Sequence, residues 1–436
     1  MTRRLFVLLL LVVCVACDGV SLPLTLPFPE NTPTPTGTAT VPPTPIVLPT
    51  ATPGAQPEPE VGGTLRLWVP PEFDPSDGSA AAALFQARLE AFAQQNPGWR
   101  VEVRVKATEG PGGLLESLAA ASKAASSALP DLVALPRPLL EMAAVRGLIR
   151  PFDALTTVMT SAEWYSYSRD LARIQNNIFG LPFAGDALVL IYRSASVSPP
   201  LASWQQLTAT GLPMAFPVAE PRASYPLTLY RGAGGAVVNE QGQPSLDVDT
   251  LTQVLTFTLA AESAGVMPNW LGLYENYDQA WQVYLERRAT LAVNWASRYL
   301  NEGTAGDSAT LLPTPNGTPF AQATGWCWAL VATDPNRQKM AAALAEFLVD
   351  GTYLTAWSTA AGVLPTRSTA AAPEGPSNLR DFATQVATVA VVYPPADVTA
   401  VLNPLLSQAV LQVFKLQVEP QVAAQQAVDA LKPPTK

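Results

Sequence analysis

The sequence predicts an α/β fold, with helices packed on the faces of a sheet. The segments Thr64–Val69 and Arg100–Val105 alternate apolar and polar residues and are rich in strand formers. Between and after them, Ser79–Asn96 and Leu114–Ala128 carry apolar or alanine-rich residues at helical spacing. Hydrophobic residues make up 48% of the chain, which is ample for large cores. Strands that alternate with helices in this way are typical of an α/β sheet.

The same alternation continues along the chain. Short apolar runs that follow turn residues predict buried strands, and amphipathic runs that end at glycine or follow Asp-Pro predict helices. The predicted elements are a strand at Leu132–Leu135, a helix at Leu139–Arg146, a strand at Trp326–Thr333 and helices at Arg337–Val349, Val401–Phe414 and Val422–Leu431.

The central stretch of the sequence is Phe179–Arg193. We expect a turn, then a loop that carries Asp186, then a buried strand over Ala187–Tyr192. A carboxylate just ahead of a buried strand is where open α/β proteins present polar groups to ligands. The interpretation is that this segment crosses between two lobes and that Asp186 faces the cleft between them. The alternative is a surface turn before a core strand.

Composition excludes several classes of function. The chain has 436 residues, enough for two or three domain-sized units or one bilobal protein, and its formal charge of −9 argues against nucleic acid as a partner. It contains no histidine, so Ser-His-Asp and Cys-His nucleophiles and His-ligated zinc are excluded. No GxSxG or P-loop motif is present, and no cofactor or metal is predicted. A glycosidase that uses two carboxylates remains as an alternative.

The first 17 residues read as an export signal. Arg3 and Arg4 precede an apolar stretch too short to span a bilayer comfortably, and it ends in Cys14-Val-Ala-Cys17. A small residue before cysteine resembles a bacterial lipobox, which predicts that Cys17 is lipidated and becomes the mature N-terminus. The alternatives are an ordinary signal peptide and an uncleaved anchor. Since only Cys327 remains, no intrachain disulfide is available to the mature chain.

Residues 18–61 are predicted to be a disordered tether. This stretch contains runs of proline and threonine such as TPTPTGTATVPPTP, which cannot bury a core. Such a stalk would hold the folded part of the protein away from the membrane.

From residue 62 onward the order of segments resembles a known family. The segments that carry the resemblance are GTLRLWV (63–69), FAQQNPGWRVEV (92–103), PDLVALPRPLLEMAAVRGLIRPFDAL (130–155), GLPFAGDALVLIYR (180–193), SWQQL (203–207), AWQVYLERRATLAVNWASRYL (280–300), the run from Leu312 to Asp350 and AWSTAAGVLPTRSTA (356–370). In this order they resemble the extracellular solute-binding proteins of ABC importers, in the sugar-binding group that includes maltose-binding protein.

The resemblance implies two α/β lobes with a ligand cleft between them and hinge-like closure. Lobe one would comprise residues 62–186 and return at 319–372. Lobe two would comprise residues 187–318 with the C-terminal helices 373–436. The protein would be an exported monomer, held at the membrane by its lipid, that delivers a carbohydrate to permease subunits. A ligand sensor without a transporter stays open as an alternative.

The family also indicates candidate ligand-binding residues in lobe two and at the crossover. Sugars present hydroxyls to carboxylates and C–H faces to aromatic rings. By resemblance Asp186 is a hydroxyl acceptor and Trp295 an aromatic platform. Tyr225 would stack on the ligand from a loop of lobe two. Trp326, which is expected to open a strand, would line the floor of the cleft or serve in the core.

Two further candidates follow strands of lobe one. Glu72 lies in a rigid loop after the first strand, and Arg137 follows the third. Arg137 stands where the family often carries an acidic or polar group. An arginine there would suit a carboxylate or phosphate on the ligand, which leaves the charge of the ligand open.

Overall fold

The computed structural model describes residues 62–124, 128–198, 201–368 and 377–432. The predicted export signal with Cys17, and the predicted tether, lie outside the described residues. The described strands are β1 Gly63–Val69, β2 Trp99–Val105, β3 Leu132–Pro136, β4 Arg173–Ile174, β5 Asn177–Ile178, β6 Leu181–Arg193, β7 Met214–Ala215, β8 Leu291–Trp295, β9 Asp307–Thr310, β10 Ala321–Leu330 and β11 Ala390–Val392.

Helices occupy most of the rest of the described chain, and short 3₁₀ turns at Pro71–Phe73, Val158–Thr160 and Asn269–Leu273 link some of the elements. The α-helices are α1 Ala80–Gln95, α2 Leu114–Ala124, α3 Arg137–Val145, α4 Ser166–Ala172, α5 Trp204–Ala209, α6 Ser224–Gly232, α7 Val248–Ser263, α8 Tyr277–Leu285, α9 Ala296–Glu302, α10 Pro335–Leu348, α11 Gly351–Ala361, α12 Ser377–Val389, α13 Ala396–Phe414 and α14 Pro420–Asp429.

Local sequence explains where several helices begin. Ser79 caps α1, since its side chain accepts a hydrogen bond from the backbone N–H of Ala82. Ser203 and Gln206 form a reciprocal capping box at the start of α5. Asp334 caps α10, where proline occupies the first helical position and needs no hydrogen-bond partner. These helices therefore begin at residues that satisfy their free N–H groups.

The main sheet is mixed, and its strands run in the order β2-β1-β3-β10-β6-β8-β7. Strands β1, β2 and β3 are parallel to one another, and β10 is antiparallel to both β3 and β6. Strand β8 is antiparallel to β6, and β7 is parallel to β8. Strands β11 and β9 pair with β10 and β6 outside this path, and β4 pairs with β5 in a separate hairpin. This arrangement confirms the predicted α/β class.

Strand β6 connects two halves of the sheet. Its first part pairs with β10 as far as Ala187, and from Leu188 onward it pairs with β8 and β9. We call β2, β1, β3 and β10 the β2 half, and β8, β7 and β9 the β7 half. A single strand of 13 residues therefore belongs to both halves.

Three clusters of buried apolar side chains fill the fold. One lies in the β2 half and contains Phe85, Phe183 and Trp328, whereas another lies in the β7 half and contains Phe216 and Phe414. The third includes residues of both halves, among them Trp68, Val189 and Trp281. The apolar core is therefore continuous where β6 passes from one half to the other.

Most predicted elements are confirmed, with ends that differ by a few residues. The strands β1, β2 and β3 and the helices α1, α3, α10, α13 and α14 lie where the sequence predicts them. The prediction of a loop around Asp186 was wrong, because β6 begins at Leu181 and includes this residue. Trp326 was expected to open a strand but lies in the middle of β10.

The placement of Tyr225 in a loop was also wrong. It is the second residue of α6 and is 1% exposed. Its ring forms a T-shaped contact with Phe216, with centroids 4.8 Å apart. Cys327 is a buried free thiol, as predicted. None of the described helices is long and apolar enough to cross a bilayer.

Candidate binding site at the strand crossing

The carboxyl ends of β3 and β8 point toward each other along β6. Pro136, the last residue of β3, is opposite Trp326, which in turn is opposite Ala184 on β6. Trp295, the last residue of β8, is opposite Leu188. Because β3 runs parallel to β6 and β8 runs antiparallel to it, the two ends converge over residues 184–188. The four residue steps from Ala184 to Leu188 correspond to about 13 Å along an extended strand.

Asp186 lies at the centre of this convergence. Directly opposed residues of an antiparallel pair project from the same face, as do residues two apart on one strand. Ala184 and Leu188 therefore share a face with Asp186, and their partners Trp326 and Trp295 share it too. We call Asp186, Trp295 and Trp326 the crossing row. Ligands of open α/β proteins bind beyond carboxyl ends of strands, so this row is the candidate binding site.

The Asp186 carboxylate holds the start of α9. It accepts hydrogen bonds from the Ser297 backbone N–H at 3.0 Å, from the Ser297 hydroxyl at 2.5 Å and from the Ala187 N–H at 2.9 Å. Burial raises the pKa of Asp186 from 3.8 to about 6, and these hydrogen bonds oppose the shift. A carboxylate has about four acceptor positions, and the donors of Ala187, Ala296 and Ser297 approach most of them.

The two tryptophans of the row are half-buried and contact other aromatic rings. Trp295 forms a T-shaped contact with Tyr277 at 5.8 Å between centroids. Trp326 forms one with Phe73 at 5.2 Å. Phe73 ends the 3₁₀ turn after β1 that also carries Glu72, which is exposed. The turn with Glu72 is therefore linked to the crossing row through Phe73.

Arg137 is engaged by the protein itself. Its Nε donates to Glu141 at 2.6 Å, and its Nη1 donates to the carbonyls of Asp170 and Leu171 at 2.5 and 2.8 Å. The side chain is only 11% exposed. Glu141 in turn accepts from the N–H of Ala396, which begins α13. In this structure Arg137 joins α3, α4 and, through Glu141, α13.

A polar cluster that the sequence did not reveal adjoins the row. Glu220 is 9% exposed and accepts hydrogen bonds from the N–H and hydroxyl of Ser224, at 2.8 and 2.9 Å. Burial raises the pKa of Glu220, and the Ser224 hydrogen bonds and the Arg222 charge oppose the shift. Arg222 follows Glu220 closely in the chain and is exposed. The cluster thus places a second carboxylate in largely buried surroundings.

Two tyrosine side chains, Tyr277 and Tyr393, lie near enough to Glu220 to feel its charge. Burial, and secondarily the Glu220 charge, raise the pKa of Tyr277 well above 10, and both act on Tyr393 in the same direction. Among the described residues, the hydroxyls of Tyr277 and Tyr393 and the amide nitrogen of Gln322 are buried without a hydrogen bond of normal length and angle, although the Ser224 side chain lies close to both hydroxyls. Buried polar atoms rarely stay unpaired, so these donors and acceptors suit water or ligand hydroxyls.

Tyr277 and Gln322 join this cluster to the crossing row. Tyr277 contacts Trp295, and Gln322 lies four residues before Trp326 on β10. Sequence alone gave no signal for the cluster. Its members are far apart in the chain and meet only through the packing of α6, α8 and β10.

The loops that follow the two outer strands touch each other. Arg222, which follows β7, donates from Nη2 to Glu109, which follows β2, at 3.2 Å. Since β2 and β7 end the strand order, this contact links loops that follow the two outermost strands of this path. Two other grooves lie away from the crossing row, one of about 440 Å³ between α1 and β2 and one of about 400 Å³ along α13.

The described residues contain no group of three or more carboxylates and cysteines placed to hold a metal ion. Together with the complete absence of histidine, the site offers hydroxyls, carboxylates and indole rings as its recognition chemistry.

The sequence matches the family model described as bacterial extracellular solute-binding protein over residues 87–384, which is more than half of the chain. The chain belongs to this family. The resemblance read from its segments is therefore confirmed at the level of the family. No curated protein matches the chain in sequence.

Solved structures of binding proteins share the fold of this solute-binding protein. The cyclic alpha-maltosyl-1,6-maltose binding protein from Arthrobacter globiformis superposes with a TM-score of 0.70 at 15% identity, over 85% of this chain and 98% of that one. The maltodextrin binding protein MalE1 from L. casei BL23 gives 0.66 at 16%, over 85% and 99%.

Maltose-bound MalE3 of T. maritima gives a TM-score of 0.63 at 17% identity, over 84% of this chain and 98% of that one. At these identities the likeness shows the fold, which is the two-lobed α/β architecture of solute-binding proteins. The family is extracellular and consists of binding proteins, so this chain is an exported solute-binding protein.

Proposed function

We propose that this solute-binding protein captures a neutral carbohydrate between its lobes and delivers it to an ABC importer. The observation that carries the proposal is the convergence of the β3 and β8 ends on Asp186, with an indole ring on either side. Carboxylate oxygens accept sugar hydroxyls, and indole faces pack against sugar C–H groups. The similar structures named above are maltose-type binding proteins, which adds support for this class of ligand.

The proposal places the ligand between lobes with the predicted limits, 62–186 with 319–372 and 187–318 with 373–436. The change of pairing partners on β6 between Ala187 and Leu188 supports this crossover. Glu220, Tyr277 and Tyr393 would supply further hydrogen bonds to ligand hydroxyls. Glu72 would reach the ligand from the turn after β1.

A neutral ligand is favoured over an anionic one because of the contacts of Arg137. Its Nε already donates to Glu141, and its Nη1 donates to two backbone carbonyls. Recruiting this arginine for a ligand carboxylate would leave those carbonyls and Glu141 without their partners, at a cost of about 1–3 kcal/mol each.

A thermal-shift screen of the purified chain tests the ligand class. We expect oligosaccharides to raise the melting temperature by mass action, since a ligand at 100 times its Kd stabilises the bound form by about 2.7 kcal/mol. Sugar acids, peptides and amino acids form the comparison sets. Stabilisation by peptides or amino acids alone would contradict the carbohydrate proposal, and stabilisation by sugar acids alone would contradict the neutral charge.

Two alternatives are decided by companion measurements. A carboxylate-pair glycosidase would release reducing ends from any glycoside that stabilises the protein, whereas a binding protein leaves it intact. A sensor without a transporter would bind the same sugar, but deleting its gene would leave uptake of that sugar unchanged.

We further propose that Cys17 carries a lipid that holds the exported, monomeric protein at the outer face of the membrane. The lipobox-like Cys14-Val-Ala-Cys17 and the proline-rich stretch after it support this proposal.

A further inference from the structure

The contact between Glu109 and Arg222 links two loops that are distant in sequence. Arg222 Nη2 lies 3.2 Å from Oε1 of Glu109 and 3.5 Å from Oε2, across 113 positions of the chain. The Glu109 side chain is 62% exposed and the Arg222 side chain is 72% exposed. One loop follows β2 and the other follows β7, the two outer strands of the sheet.

We propose that this ion pair is an electrostatic latch that favours the closed arrangement of the lobes. The inference rests on the proposed function, in which ligand is trapped between lobes that close. In this proposal Glu109 and Arg222 do not contact the ligand, and they set how long it remains bound. Opening moves the β2 and β7 edges apart and separates the two charges.

The loop after β2 is built to present Glu109. Gly110 and Gly112 have φ values of 80° and 76°, a region that side chains other than glycine rarely adopt. The N–H of Gly113 donates to the carbonyl of Gly110 at 2.9 Å, and the N–H of Gly112 donates to Glu116 on the first turn of α2 at 3.3 Å. The turn is thus attached to α2, and Glu109 projects from it toward solvent and Arg222.

Arg222 is positioned between two carboxylates. On its own side Glu220 is buried and bound to Ser224; burial raises the pKa of Glu220, and the Arg222 charge is among the influences that oppose this rise. On the other side is Glu109. Opening would leave the attraction to Glu220 in place and remove only the attraction to Glu109. The pair therefore contributes to the difference in free energy between the open and closed states.

A small contribution is enough for such a role. Exposed ion pairs contribute little to overall stability, but an equilibrium between two conformations of similar free energy responds to small terms. We expect loss of the pair to raise Kd about 2- to 5-fold. The effect should shrink at 0.5 M salt, where exposed charges are screened.

Charge reversal provides the test. The variants are Arg222→Glu, Glu109→Arg and the double reversal of both, and small-angle X-ray scattering of the ligand-free chain reports the radius of gyration at low and high salt. We expect each single variant to expand at low salt and the double reversal to return to the wild-type radius. Arg104→Glu is the matched control, since it disrupts an exposed pair with Glu102 within β2. It should not change the radius.

Dissociation rates of a sugar found in the thermal-shift screen provide the second readout. We expect 2- to 5-fold faster release from the single variants and a normal rate from the double reversal. Unchanged radii, or no restoration in the double reversal, would overturn the latch. A loss of affinity in Arg222→Glu that Glu109→Arg does not restore would place Arg222 in contact with the ligand instead.

The scattering measurement needs no ligand, so the two proposals fail separately. Charge-dependent expansion with no sugar binding would keep the latch and contradict the ligand. Sugar binding with unchanged radii would support the carbohydrate ligand and overturn the latch.

Discussion

At the scale of single residues, Trp295 carries the most direct prediction about the ligand. It ends β8, is half-buried and makes a T-shaped contact with Tyr277. We predict that Trp295→Ala raises Kd for the stabilising sugar by roughly 30-fold, because about 2 kcal/mol of apolar contact with the ligand is lost. Isothermal titration calorimetry measures this change.

Trp270→Ala is the control for removing an indole. Trp270 is also half-buried, but it packs on Tyr274 and Arg288, away from the crossing row. Its loss should change stability more than affinity. If Trp295→Ala abolished folded protein, the ring would belong to the core and not to the site.

The raised pKa of Asp186 predicts how the stability of the protein depends on pH. Its pKa is raised from 3.8 to about 6, so between these values the folded protein binds more protons at this carboxyl than the unfolded chain does. The sign follows from linkage: stability falls as pH rises from about 4 to about 6 and then levels off. Relative to Asp186→Asn, the wild-type protein should therefore lose stability over this range.

Urea unfolding of both proteins at several pH values between 4 and 8 measures the effect. Glu220 also has a raised pKa, but it is present in both proteins and cancels in the difference. Parallel stability curves for wild type and Asp186→Asn would show that Asp186 titrates normally.

At the scale of elements, β6 depends on a glycine beside Asp186. A Cβ at Gly185 would lie 2.2 Å from the hydroxyl oxygen of Tyr167, which donates to the carbonyl of Pro365. The backbone of Gly185 also exchanges two hydrogen bonds with Leu364. The close approach of α4 and of residues 364–365 therefore requires glycine at this point of the strand.

We predict that Gly185→Ala destabilises the protein by about 1–3 kcal/mol, as expected for overpacking in a buried site. Gly306→Ala is the control, because a Cβ there meets no atom within 4 Å. Thermal or chemical unfolding compares the two. Equal stability of both variants would mean that Tyr167 moves aside without cost.

Helix α9 shows how a candidate site residue also serves the fold. Trp295 provides no side-chain cap, and the carboxylate of Asp186 accepts the hydrogen bond from Ser297 instead. A negative charge is favourable at a helix N-terminus. The position of Trp295, just before α9, is thus coupled to Asp186 on the crossing strand. Substitutions of Asp186 should affect both affinity and stability.

At the scale of the whole molecule, the proposed lipidation of Cys17 leads to a prediction about where the protein resides. We predict that Cys17→Ser moves it from the membrane fraction to the soluble exported fraction, since stable attachment through the lipid would be lost. Immunoblotting of fractionated cells measures this. Cys327→Ser is the matched control, because Cys327 is a buried thiol of β10. Unchanged membrane association of Cys17→Ser would contradict the lipoprotein proposal.

Much of the architecture was readable from local pattern. Alternation in β1 and β2, helical spacing in α1, the Asp-Pro pair before α10 and the order of segments indicated an α/β solute-binding protein from the chain alone. The absence of histidine already removed most kinds of catalytic and metal site. These features depend on neighbouring residues in the chain or on composition, so no tertiary contact is needed to recognise them.

Tertiary structure decided the residue environments. Tyr225 is an aromatic residue ahead of a proline, and only the packing of α6 on Phe216 shows that its ring is in the core. The sequence left Arg137 available to an anionic ligand, whereas in the fold its Nη1 donates to two backbone carbonyls of α4. Glu220, Tyr277 and Tyr393 had no common signal in the sequence.

The sequence by itself indicated the family and an export signal, and it predicted a buried strand over Ala187–Tyr192. The tertiary structure alone decided that Asp186 lies within β6, where the ends of β3 and β8 meet, and that it already binds α9. The reason is physical. Strand formers and caps act over a few residues, whereas a site at a crossing of strands is made from segments that meet only after the chain has folded.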